Sequence, residues 1–151
     1  MHPTAYQFVE ALIQRMPPPR NVVEIGSRQV HGGVRILFPG AAYVGIDLVP
    51  GDGVDVVADA AHWRPASFVD VVVCTSTLEH VPAPRQLIRA AWEMLRENGI
   101  FILTTVTDGA TPHSSADGGL LAKDEHYKNI GSGELADWLT RFRFFSLEYI
   151  P

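Results

Sequence analysis

Three carboxylates stand at or near the ends of apolar runs. Glu24 lies in Asn21-Val22-Val23-Glu24-Ile25-Gly26, Asp47 closes Ala42-Tyr43-Val44-Gly45-Ile46-Asp47, and Asp59 closes Val54-Asp55-Val56-Val57-Ala58-Asp59. A carboxylate at a strand tip can accept charge-assisted hydrogen bonds from both vicinal hydroxyls of a ribose, the role open to Asp47. Asp59 could accept from the exocyclic amine of an adenine, or cap a helix starting near Ala60. Gly26 allows a sharp turn and a close backbone approach to a ligand. Together the three acids outline an adenosine site. A dinucleotide fingerprint needs further glycines where this chain has Arg28 and His31, which argues against close backbone contact with a diphosphate. The Arg28 side chain could still neutralise a phosphate. A cationic ligand with an amino acid tail suits Glu24 better.

A second group follows the run Phe68-Val69-Asp70-Val71-Val72-Val73-Cys74-Thr75, in Leu78-Glu79-His80. A neutral imidazole at His80 could take a proton from an acceptor, or serve as a structural hydrogen-bonding group. Residues 107 to 131 are rich in glycine and lack periodicity, too long for a neutral connector. We expect them to fold over the site as a lid with His113, His126 and Tyr127 facing an acceptor; the alternative is a solvated polar loop. No short ligand spacing repeats among these histidines and Asp117, so no metal centre is expected from the spacing.

The elements that must position these residues follow from periodicity. Apolar positions 8, 9, 12, 13 and 16 form one helical face, stopped by Pro17-Pro18-Pro19. Short β-branched runs over 21–26, 42–47, 54–59, 68–75 and 100–106 read as strands, the fourth hydrophobic enough to be buried on both faces. Val34, Leu37 and Phe38 suggest a helix after the first strand. Pro82 and Pro84 introduce another, with apolar positions 87, 88, 91, 92 and 95 and a left-handed end at Asn98-Gly99. Trp92 and Trp138 read as core, and Arg141 and Arg143 as a solvated face. Ser132 can cap a last helix with Leu135, Trp138, Leu139 and Phe142 on one side, and 144–150 a last strand. Alternating strands and helices imply an α/β fold: a doubly wound, mostly parallel sheet whose ligands sit beyond the strand carboxyl ends.

Composition bounds the rest. The 151 residues suffice for one domain burying roughly 70% of its unfolded surface. We expect a single domain over 1–151, with a helix and Pro-rich turn at 1–19. Twelve Lys and Arg against 17 Asp and Glu give a net charge of -5, with no basic cluster dense enough to follow a duplex nucleic acid. Hydrophobic residues at 46% exclude a disordered chain, and no apolar run is long enough to span a bilayer. The start shows no export signal, and the lone Cys74 fits a reducing cytoplasm.

The segments Val22-Val23-Glu24-Ile25-Gly26-Ser27, Tyr43-Val44-Gly45-Ile46-Asp47, Val54–Asp59 and Phe68–Val81, with Leu95-Arg96-Glu97-Asn98-Gly99-Ile100-Phe101-Ile102-Leu103, resemble the ordered motifs of class I S-adenosylmethionine-dependent methyltransferases of the small type 11 kind. The likeness runs from about residue 20 to 106. It implies a Rossmann-like fold and methyl transfer from S-adenosylmethionine to an unidentified acceptor, expected to be a small molecule. By position it implies a methionine-binding loop at Glu24, Gly26, Ser27 and Arg28, Asp47 on the ribose, and Leu48 beside the adenine. Asp59 and Ala60 would lie at the adenine edge, and Thr75 near the methionine amino group. Arg28 and Val30 replace two glycines of the usual pattern. The family's sheet commonly ends in an antiparallel hairpin, here truncated to one expected strand, and a second copy of the chain could cover the exposed edge. Two other readings remain: a catalytically silent S-adenosylmethionine-binding subunit that needs a partner, and an NAD-dependent oxidoreductase.

Overall fold

The computed structural model describes residues 3–148. Five parallel strands run in the order β3-β2-β1-β4-β5: β1 Asn21–Ile25, β2 Ala42–Asp47, β3 Val56–Val57, β4 Val69–Thr75 and β5 Leu95–Thr104. The order reverses between β1 and β4, which opens a crevice at the strand carboxyl ends. Both faces are covered. On one, α1 (Pro3–Ile13) lays Val9 in a core with Val22, Val71, Val73, Ile102, Val34 and Phe38. On the other, α2 (Pro84–Met94) and α3 (Ser132–Trp138) cover Val23, Ile25, Val72 and Cys74 with Leu87, Ile88, Ala91 and Met94, while Leu135 and Leu139 add to the same core. Val71, Val72, Val73 and Cys74 are wholly buried, so β4 is a continuous apolar run rather than an alternating one.

Two carboxylates fix the sheet from the side. At its amino-terminal end, Asp70 Oδ2 accepts the backbone N–H groups of Arg20 (2.7 Å) and Asn21 (2.9 Å), and Oδ1 accepts from Arg96 Nε at 2.5 Å, tying β1, β4 and β5 together. At the other edge, Asp55 Oδ2 accepts the Gly45 N–H at 2.7 Å and pairs with Arg35. A side chain thus takes a ladder position of β2, and β3 shrinks to two residues.

Several expectations are corrected. The segment after β1 forms only one 3-10 turn, Arg35–Leu37, because Gly32-Gly33 and Pro39-Gly40 leave too few residues to repay helix nucleation. Val34 and Phe38 are buried nonetheless, so their spacing reports packing, not a helix. No helix starts near Ala60; Asp59 caps a turn through the N–H of Ala61. α2 ends at Met94, and Asn98, left-handed at φ 62, sits in an irregular part of β5 rather than at a helix end. Trp92 is 42% exposed with the Arg141 guanidinium over its ring, so it is no core residue. Gly131, not Ser132, precedes α3, and no side chain caps it. Residues 144–148 form no strand, and the remainder of that expected strand lies outside the described residues, as does the start of the 1–19 segment. Among the described residues no helix is long and apolar enough to cross a membrane.

Candidate functional site

The strand ends and the loop after β5 enclose a cleft of about 1000 Å³. Its floor is the loop after β1. The N–H groups of Gly26 and Ser27 both donate to the Ile46 carbonyl, at 2.9 and 3.1 Å, which seats that loop on β2. Gly26 has φ +74, and a side chain there would collide with Thr77, whose Oγ1 donates to the Thr75 carbonyl at 3.0 Å. Glycine is therefore required twice over, by conformation and by the close approach of the loop after β4. Ser27 is buried, and its Oγ has no hydrogen-bond partner in the protein.

Asp47 is held ready by the backbone. Its Oδ2 accepts the Arg28 N–H and its Oδ1 the Val49 N–H, each at 3.1 Å. Beside it Leu48 is 70% exposed, an apolar surface on the cleft wall. Asp59 also lines the cleft, with Oδ1 on the Ala61 N–H at 2.9 Å and Oδ2 3.2 Å from His62 Nδ1; Ala60 is buried next to it. Thr75 is buried at the end of β4. Glu24 is 3% exposed and accepts the Tyr43 hydroxyl at 2.9 Å. Burial pushes its carboxyl up to about 7, against the opposing pull of the Tyr43 bond and the Arg35 charge.

The Arg28 side chain does not plug the crevice. It lies along Gly51 and reaches the Ala116 carbonyl at 3.4 Å, in the loop after β5. The His31 ring touches that loop at Gly118. Residues 107–131 contain no helix or strand, yet they are fastened. Glu125 accepts from Ser114 Oγ (2.8 Å), the Ser115 N–H and Oγ (both 3.1 Å) and the Ala122 N–H (2.9 Å). The Ala122 amide and Ser114 hydroxyl, followed by Ser115, hold the Glu125 carboxyl down at about 2. The Lys128 N–H donates to the Glu79 carbonyl at 2.8 Å, and the Ile130 N–H to the Val106 carbonyl at 3.1 Å.

Three rings meet under this loop. His80 and His113 lie 5.0 Å apart edge to face, and Tyr127 stands 5.5 Å from His80 and 5.1 Å from His113. His80 and His113 line the cleft. His126, which is exposed, and Tyr127 both lie outside its lining, against the expectation that they face it, and the Tyr127 hydroxyl donates to the Thr111 carbonyl at 3.4 Å. Burial, foremost, and the neighbouring His113 lower the His80 pKa, which favours the neutral imidazole. Sequence reasoning missed Thr77, Tyr43 and the fully buried Glu79. Only the last had a legible sign, an acid adjoining the histidine already singled out.

The sheet order, the reversal between β1 and β4 and the acid-edged cleft define a Rossmann-like nucleotide fold. A model of the methyltransferase domain matches residues 2–147. The chain belongs to this methyltransferase-domain family. Among curated proteins it is 40% identical over 91 residues to a ubiquinone biosynthesis O-methyltransferase of Xanthomonas campestris pv. campestris, a stretch covering 55% of this chain and 38% of that protein. It is 30% identical over 164 residues to the protein of the same name from Xanthomonas axonopodis pv. citri, covering 92% and 67%. The chain thus spans about two fifths of the length of the first relative. Among solved structures, the Burkholderia thailandensis 1,6-didemethyltoxoflavin-N1-methyltransferase, bound to 1,6-didemethyltoxoflavin and S-adenosylhomocysteine, superposes with a TM-score of 0.66 at 18% identity. That match covers 91% of this chain and 66% of the other.

Proposed function

We propose that the cleft binds S-adenosylmethionine and that the protein transfers its methyl group to a small acceptor. The observation that carries this reading is the convergence of Glu24, Asp47 and Asp59 on one cleft of about 1000 Å³. The residues present fit the cofactor. Ser27 Oγ is a buried polar atom without a partner, Gly26 leaves room that a side chain would fill, and Leu48 offers an apolar wall between two carboxylates. Asp47 would accept from the ribose hydroxyls, Asp59 and Ala60 would border the adenine beside Leu48, and Glu24, Ser27 and Thr75 would receive the amino acid part. When bound, the cofactor supplies a methyl already activated on a sulfonium. The chain's own work is to exclude water and hold the acceptor in line. The loop 107–131 supplies the cover, and the neutral imidazole of His80 is placed to take a proton where the acceptor must lose one.

The curated relatives are named for O-methylation in ubiquinone biosynthesis, which favours an oxygen acceptor here. A reduced, buried Cys74 agrees with a cytoplasmic setting. Among the described residues no strand pairs with the outer edge of β5; a second copy of the chain is one assembly that would cover it, and light scattering reads that directly.

Calorimetric titration with S-adenosylhomocysteine and with NAD tests the cofactor. The reading requires the former to bind more tightly; the reverse order overturns it in favour of a nicotinamide enzyme. Asp47→Ala should weaken S-adenosylhomocysteine at least tenfold, because a hydrogen bond to a charged group contributes about 1.5 to 3 kcal/mol. Unchanged affinity would remove Asp47 from the ribose.

A further inference from the structure

The loop after β4 and the loop after β5 bring together three side chains distant in sequence: Glu79, His80 and His113. One donor atom from each lies within 4.8 Å of the other two, and among the described residues no other trio of His, Cys, Asp or Glu is so arranged. Glu79 is 0% exposed. Its Oε2 accepts the Thr105 hydroxyl at 2.9 Å, whereas Oε1 is buried with no hydrogen-bond partner. His80 Nδ1 is likewise buried and unpartnered. A protein seldom buries such lone-pair atoms without giving them something to bind. His113 completes the set: its Nδ1 faces the Thr111 carbonyl at 3.2 Å, an acceptor only, so that nitrogen carries the proton and Nε2 keeps its lone pair.

We propose that Glu79, His80 and His113 form a binding site for a divalent transition-metal ion, zinc by its donor set, on the wall of the cleft. Two imidazoles and one carboxylate are a three-ligand zinc set that leaves a fourth position open, and imidazole donors select zinc over magnesium. The outer contacts are already in place, with Thr105 on the carboxylate and the Thr111 carbonyl orienting His113. Donors around one zinc stand roughly 3.3 Å apart, from metal–nitrogen bonds of about 2.0 Å, so the ion draws the three together. His113 moves most easily, because it rides on the loop while Glu79 and His80 follow directly from the sheet. The ion therefore fastens the loop to the cleft wall, and while it is bound the His80 lone pair is engaged, so His80 can accept a proton only in the metal-free protein. All three residues line the cleft, so the open position faces the space assigned to the acceptor and would take an oxygen of it; this last clause rests on the methyl-transfer reading.

The test uses the full chain, stripped with EDTA, dialysed, and titrated with ZnCl₂ by calorimetry. One equivalent of zinc should bind saturably, and MgCl₂ should bind at least a hundredfold more weakly. Glu79→Gln, which keeps shape and the partner for Thr105, and His113→Ala should each weaken zinc at least tenfold. Substitution with cobalt(II) should give visible absorption of tetrahedral intensity that both variants lose. No saturable zinc binding, zinc affinity equal in wild type and both variants, or magnesium binding as tightly as zinc each overturns the site. S-adenosylhomocysteine binding is measured on the same samples without zinc. Its presence shows that the variants are folded. Its absence from wild type, with zinc bound as expected, refutes the cofactor reading and leaves the metal site standing.

Discussion

Glu24 is a pH-sensitive group of the cleft. Its carboxyl titrates near 7 in the fold and near 4.5 in the unfolded chain, so its favourable share of stability is complete below about pH 4.5 and fades as pH rises through 7. A shift of this size corresponds to about 3 kcal/mol, to order of magnitude. Glu24→Gln should flatten this loss, measured as urea midpoints at pH 5 and pH 8. If ionised Glu24 receives the ligand's ammonium, S-adenosylhomocysteine should bind severalfold more tightly at pH 8 than at pH 6 in wild type and equally at both in Glu24→Gln. A pH slope that survives in the variant would place the titrating group elsewhere. Glu24 and Asp47 were legible because each stands at or next to the end of a β-branched run, and such runs end at the crevice of a parallel sheet. Glu79 was not legible as a ligand-facing group, since nothing local in Leu78-Glu79-His80 says that its carboxylate turns inward toward Thr105. Nor could the chain order show that His113 packs against His80.

The loop after β5, part of which lines the cleft, has no regular secondary structure and is organised around one carboxylate. Glu125 gathers two serine hydroxyls and two backbone amides, so Glu125→Gln, which keeps size but not charge, should loosen residues 114–122. Hydrogen exchange of the Ser115 and Ala122 amides should accelerate at least severalfold, with the sheet unchanged. Equal protection in variant and wild type would deny Glu125 this role. With the carboxyl held at about 2 against 4.5 when unfolded, the contribution is present above pH 4.5 and disappears as pH falls through 2. Wild-type protection, corrected for intrinsic exchange, should thus be insensitive to Glu125 titration from pH 6 to 8. Sequence periodicity found β1, β2, β4, α1 and α2 because each buries an apolar face of regular spacing. It failed at Arg35–Leu37 and at 144–148 for the opposite reason: apolar residues can pack as single anchors, as Val34 and Phe38 do, or stay exposed, as Phe144 does at 83%.

At the scale of the molecule, the two cores share one sheet, and Asp70 is the clasp at the end opposite the cleft. Arg96 foremost, with the amides of Asn21 and Arg20, holds its carboxyl below the usual range. Asp70→Ala leaves two strand-entry amides and a guanidinium without their acceptor and should cost about 2 to 3 kcal/mol in urea unfolding, the scale of a charged hydrogen bond. S-adenosylhomocysteine affinity of the folded fraction should stay within twofold, because the clasp and the cleft lie at opposite ends of the strands. A large loss of affinity with unchanged stability would reverse that assignment. The general plan, an open parallel sheet with its crevice at the strand tips, was readable from the order of the runs; the closure of its mouth was not, because it depends on Arg28 meeting Ala116 and His31 meeting Gly118 across the chain. Those two contacts make the mouth a doorway with a latch on each jamb. Parting them would widen the way out for a guest as large as a nucleoside, so mutation of Arg28 should be read in the guest's dwell time as well as in its equilibrium affinity.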